Sequence, residues 1–324
     1  MPELSRRSPM TLVVAVAVAL VVLGAAAILV GTSEGSTPSG DQYVDIADVP
    51  VAHDPAAAGS FTIECGTNEQ RHLNADNPVM SPGIPAGAHH THEYVGNTTS
   101  DHRSTNESLA AASSTCGDDD RSAYFWPVLR LTDGVGHDAH ANGGGAHGNT
   151  GEVVPPRQVR VSYHGNPVSK VLPMPRFLRM ITGDPMAFTH DHGDRVRARW
   201  SCANQPDRHT TKYPLCDDGA DVVRTFEFAS CWDGGNADSA SHRTHVVFPS
   251  AAGICPAKTF PVPVLRLTVT YDLPQGRPFA IDSFPEQHRD PASDHAMFIN
   301  VMSVAMMSDV VRCINEARSC SSAH

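Results

Sequence analysis

Lysine is nearly missing from this chain: Lys170, Lys212 and Lys258 are the only three among 24 basic residues in 324. Acidic side chains number 35, so the formal net charge is −11. Such a chain lacks the basic footprint that displaces counterions from a nucleic acid, and no nucleic-acid partner is expected. No G-x-x-x-x-G-K-[ST] segment occurs, nor a G-x-G-x-x-G that opens a helix. Nucleotide binding therefore has no support either. Closely spaced cysteine pairs of the C-x2-C kind are also missing, which removes the usual thiolate metal site. No period of 20–50 residues repeats itself, and this excludes a solenoid or propeller.

What is present begins with one long apolar run. Residues 10–30 read MTLVVAVAVALVVLGAAAILV without a charge. As a helix they would span roughly 30 Å, the hydrocarbon thickness of a bilayer. Arg6 and Arg7 precede the run, and the positive-inside rule keeps the first residues in the cytoplasm and sends the remainder across. A cleaved signal peptide is the alternative, with a secreted product. Its apolar core is shorter, however, and ends in a small-x-small site, which Ile28-Leu29-Val30-Gly31-Thr32 does not provide. The expected organisation is a cytoplasmic stub (1–9), a transmembrane signal-anchor (10–30), a flexible tether (31–58) and an extracytoplasmic domain (59–324). The tether is small, polar and proline-rich, and the folded part is expected from about Phe61.

All eight cysteines lie beyond the tether, at 65, 116, 202, 216, 231, 255, 313 and 320. An even number in a translocated domain predicts disulfides. Pairing is open among 105 schemes, with Cys313–Cys320 and Cys231–Cys255 the near-neighbour pairs to test first.

From Phe61 onward the apolar runs are short, and several alternate. Val159, Val161 and Tyr163 oppose Arg160 and Ser162; Leu265, Leu267 and Val269 oppose Arg266, Thr268 and Thr270. Period-two patterning means half-buried antiparallel strands. The fold class is therefore mainly β, antiparallel, sandwich or jelly-roll-like. Two helices are expected: a short one over Glu107–Ser113, and a C-terminal one over Ala296–Arg318 that packs Met302, Ala305, Met306 and Val310 on the sheet.

Three polar clusters carry candidate chemistry. His90 and His92, two apart, share one face of a strand and can share a metal ion, with the carboxylate of Glu93 beside them. Trp232 offers an aromatic platform for a substrate, Asp233 a carboxylate, and His245 lies at the mouth of a strand. Asp294 and His295 sit just before the expected last helix, where Ser293 or Asp294 could equally be a plain N-cap. A Gly- and His-rich stretch, 133–151, holds His137, His140 and His147, and reads as a mobile loop or a loose metal site.

The segments HTHEYVGNT (90–98), LRMITGDP (178–185), FEFASCWDG (226–234), SHRTHVVFP (241–249) with CP (255–256), and SDHAMFIN (293–300) occur in order. In this combination the chain resembles the family known as domain of unknown function nineteen ninety-six, over roughly residues 61–318. His90, His92 and Gly96 match its H-x-H-x-x-x-G element, and Ser230 through Gly234 its S-C-W-D-G element. His245, Val246 and Pro249 match a histidine-valine-x-x-proline element, and His295, Phe298 and Asn300 a late H-x-x-F-x-N element. That element usually continues Gly-Trp, where this chain has Val301 and Met302. The resemblance implies a secreted or surface-attached protein, in some relatives joined to wall-carbohydrate-binding modules, and it implies no activity.

Three functions compete at this point. A carbohydrate-directed surface protein would bind a polysaccharide or cleave it with two of Glu64, Glu93, Asp233 and Asp294. A metal protein would hold a divalent or transition ion on His90, His92, His245 and His295 or Asp233. A structural surface protein would use the same residues as a buried polar network.

Overall fold

Alternation places the longest strand, Val264–Tyr271, at the centre of a seven-stranded sheet. Gln158–His164 pairs on one side of it and Val222–Glu227 on the other, both antiparallel. Trp200–Cys202 and Gln205–Thr210 continue the sheet beyond Val222–Glu227. Ser60–Ile63 continues it at the other end and pairs in parallel with Ser319–Ser321. A five-stranded antiparallel sheet runs in the order Leu73–Asn74, His92–Gly96, Ala123–Pro127, His295–Ile299, Arg179–Gly183. This computed structural model describes residues 38–52, 59–133, 148–190 and 193–322. The apolar run 10–30 and His137, His140 and His147 lie outside the described residues. Among the described residues no helix is long and apolar enough to cross a membrane.

One apolar core draws on both sheets. Val159, Val161, Tyr163, Leu265, Leu267 and Val269 meet Val95, Tyr124, Trp126, Phe298 and Met180 there. The Tyr124 and Tyr163 hydroxyls, one from each sheet, lie 2.8 Å apart. The opposite face of the five-stranded sheet carries Tyr94, Phe125, Ile181, Met297 and Ile299, covered by Val79 and Leu109. That second face positions the site described below. The domain is mainly β with antiparallel sheets, as the alternation predicts.

Two expectations about local structure need correction. The run 296–318 is not one helix: His295–Ile299 is a strand and the helix is Val304–Asn315. A short run that is apolar on every side suits a strand buried on both faces as well as a buried helix, and periodicity cannot separate them. Asn300 ends the strand, its side chain accepting from Met302 N–H and donating to the Pro175 carbonyl. Ser303, not Ser293 or Asp294, caps the helix by accepting from the Met306 amide. The buried stripe is Met306, Met307, Val310, Cys313 and Ile314; Ala305 faces solvent. The shorter helix, Asn106–Ala111, starts one residue before its expected place.

The proline-rich stretch read as tether is also folded over residues 38–52. Tyr43–Asp45 pairs in parallel with Tyr213–Leu215, and Ile46 and Val49 are buried against Cys202. A strap this short buries too little to fold alone, but it needs only a few apolar anchors when the domain supplies the other wall. Four disulfides close the structure: Cys65–Cys116, Cys202–Cys216, Cys231–Cys255 and Cys313–Cys320. Both near-neighbour pairs singled out from spacing are among them.

Candidate metal centre

His92 and His295 begin the two strands that flank Ala123–Pro127. Their side chains emerge on the face that carries Tyr94 and Phe125, the Phe125 ring lying against His92. His90 reaches the same place from the segment leading into the first strand. Its Nε2 lies 3.1 Å from His92 Nε2 and 3.3 Å from His295 Nε2. All three residues are buried. The register leaves no room for a side chain beside His295: its partner is Gly183, where a Cβ would strike the Asp294 carbonyl and the His295 backbone.

Backbone carbonyls fix two of the ring tautomers. His92 Nδ1 lies 3.0 Å from the Asp76 carbonyl, and His295 Nδ1 lies 2.9 Å from the Ser293 carbonyl. A carbonyl only accepts, so each Nδ1 carries the hydrogen and each Nε2 presents a lone pair. Those lone pairs meet at His90 Nε2. Outer-shell carbonyls of this kind orient metal-bound imidazoles. Two ligand nitrogens about 2.05 Å from a tetrahedral ion stand roughly 3.3 Å apart, close to the 3.1 and 3.3 Å that separate His90 Nε2 from the other two.

Electrostatics keep the three rings neutral. Burial, more than any other cause, holds His92 down at about 4 and His295 at about 3. It also holds His90 well below the ordinary histidine value, with His92 and His295 adding to the shift. Neutral imidazole is the metal-binding form.

Two buried ion pairs frame the cluster. Arg130 donates to both oxygens of Asp282, at 2.6 and 3.1 Å, and Asp282 accepts the amide of Thr91, the residue between His90 and His92. Arg224 donates to both oxygens of Asp294, at 2.6 and 3.1 Å, and Asp294 accepts the amide of His295. Burial opposes the charge on Arg224, and Asp294 together with Tyr271 and Glu93 more than restores it. Each pair thus fixes the backbone beside a histidine.

The remaining candidate residues are placed as follows. Glu93 points to the opposite, inter-sheet side, where its Oε1 accepts from Trp126 Nε1 and Tyr271 OH, each at 2.7 Å. Burial pushes its carboxyl up to about 7, against those hydrogen bonds and the charge of Arg224. Asp294 joins the same network through Arg224, which also donates to Tyr271 OH. Asp233 lies in a turn, accepting from the Gly235 and Asn236 amides and the Asn236 side chain. Trp232 is partly buried and donates its indole N–H to the Asn236 carbonyl. His245 stands apart from the three histidines: its Nε2 lies 2.7 Å from the Arg179 carbonyl and its Nδ1 2.9 Å from Ser239 Oγ. Among the described residues Cys65, Cys116 and Asp120 form the other close group of ligand-type side chains, but its two sulfurs are bonded to each other.

Sequence reasoning missed Arg130, Arg224 and Asp282. A signal was available for Arg224, which takes an inward place between Val222 and Phe226 in an alternating run. A charge at an inward position announces a buried partner.

No curated protein and no solved structure matches the chain. A family model described as a domain of unknown function, DUF1996, matches residues 77–300, more than half of the chain and a span that holds all three clustered histidines. The chain belongs to that family.

Proposed function

We propose that this is an extracytoplasmic metal-binding domain in which His90, His92 and His295 hold one transition-metal ion through their Nε2 atoms. The observation that carries this reading is the pair of carbonyl-fixed tautomers whose lone pairs converge on a third imidazole nitrogen. Without a cation or a shared proton, those lone pairs would repel each other in a buried site. Three imidazoles with neither thiolate nor carboxylate suit zinc or copper over magnesium or calcium. Three protein ligands leave a fourth position open to water or a substrate atom, the arrangement in which such an ion acts as a Lewis acid. The disulfides support the oxidising address, and residues 10–30 would tether the domain to the membrane, secretion after cleavage being the alternative.

The test is elemental analysis of the full-length protein, purified without chelator, beside the His92→Ala variant. About one equivalent of zinc or copper in the native protein, lost in the variant, supports the proposal; less than about one-tenth of an equivalent after incubation with either metal removes it.

A further inference from the structure

Two hollows outside the histidine cluster meet at a common wall. One, of about 600 Å³, is bounded by Arg195, Arg197 and Arg243; the other, of about 370 Å³, by Arg197, Arg199 and Arg266. Arg197 and Phe248 belong to both, and the Arg197 guanidinium lies 4.1 Å above the Phe248 ring. Five arginines therefore face one continuous depression, against Asp184, Asp194 and Glu227. This occurs on a chain whose formal net charge is −11. From the depression and the position of these side chains we infer that the groove binds an extended carboxylated polysaccharide, its repeating carboxylates taken by the arginines.

Placement, charge and wall chemistry support this. Arg195, Arg197 and Arg199 are alternate residues of the segment leading from a turn into the strand Trp200–Cys202, Arg195 lining the first hollow, Arg199 the second and Arg197 both. Arginines distributed along two adjoining hollows suit a chain of anions better than one compact anion, which would need its arginines converged. Guanidinium is the side chain whose planar donors match a carboxylate two to two. Arg243 is held by the Gly183 carbonyl; burial pushes its pKa down, Asp184 opposes that shift and Arg195 adds to it. Glu227 already answers Arg266 at 2.7 Å and Arg199 at 4.0 Å, so the positive charge offered to an incoming anion is chiefly that of Arg195 and Arg197. Between the arginines the wall is apolar, with Met80, Met180, Ile181 and Phe248, the surface on which the C–H faces of a sugar pack. Asp184 lies on the same wall and supplies an acceptor for sugar hydroxyls. The inference uses the extracytoplasmic address proposed above but does not need the metal.

The experiment measures binding of the full-length protein to polygalacturonate, to a neutral glucan of equal length and to poly-glutamate, at low and at physiological salt. Arg195→Gln with Arg197→Gln is the variant; among the described residues neither side chain hydrogen-bonds the backbone, and an unchanged thermal midpoint confirms folding. We expect polygalacturonate to bind roughly tenfold or more tighter than either control, and the double variant to lose about tenfold with a shallower salt dependence. Equal binding of neutral glucan, equal or tighter binding of poly-glutamate, or an unaffected double variant would each overturn the inference. Metal content is read in the same samples. It is expected to be unchanged in the double variant, so failure here and failure of the metal reading are told apart.

Discussion

Asp294 holds Arg224 with both carboxylate oxygens, and one of those oxygens also accepts the amide of His295. A buried ion pair and a candidate metal ligand are thus joined through one side chain. Replacing Asp294 by Ala leaves a guanidinium buried without its anion, a loss of about 3–5 kcal/mol. The milder Asp294→Asn retains the shape and loosens the support of the histidine; metal affinity is expected to fall about 10–100-fold, measured by competition with a chromophoric chelator.

The same logic applies on the other side of the site. Asp282 accepts the amide of Thr91 between the paired histidines. Asp282→Asn is expected to weaken metal binding over a similar range, about 10–100-fold, while His245→Ala leaves it intact, because His245 bonds Ser239 and the Arg179 carbonyl. Metal titrations of the two variants in parallel check both outcomes.

Glu93 supplies a pH dependence with a definite sign. Burial raises its folded-state carboxyl to about 7, above the unfolded value of 4.5, so the folded protein binds the extra proton. Its contribution is fully present below about pH 4.5 and is lost as pH rises through about 7. Glu93→Gln keeps the acceptor for Trp126 and Tyr271 and removes the titration. Denaturant midpoints of the variant against the native protein, followed from pH 5 to 8, are expected to diverge in the variant's favour as pH rises.

The bridge Cys65–Cys116 closes a separation of 51 residues across the core. Its removal by paired serine substitutions is expected to cost about 2–5 kcal/mol, read from the unfolding midpoint. The denatured, unreduced native protein is expected to show no titratable thiol among its eight cysteines.

How much of this could be read from the chain depends on range. The pairing of His90 with His92 was legible from their spacing, but not for the reason that strand periodicity offers: the strand begins at His92, and His90 reaches it from the irregular segment ahead. His295 stood out as a polar residue ahead of an apolar run, but only the strand order brings it across Ala123–Pro127 to the other two. His245 looked equivalent by the same local criteria, and its carbonyl and hydroxyl partners come from distant or irregular segments. The strand alternation at Val159–Tyr163 and Leu265–Val269 was clear, since one face is half-open. At His295–Ile299 both faces are buried, so no alternation marked the strand and the run read as helix.

The parallel pairing of Ser60–Ile63 with Ser319–Ser321 has a consequence for biogenesis. More than two hundred residues separate the partners, so one margin of the larger sheet stays bare until the far segment has been synthesised. An uncovered strand margin is a template for mispairing with other chains. Cys313 lies on the helix before Ser319–Ser321 and Cys320 within that strand, and their bond acts as a clasp that secures the margin once it is covered.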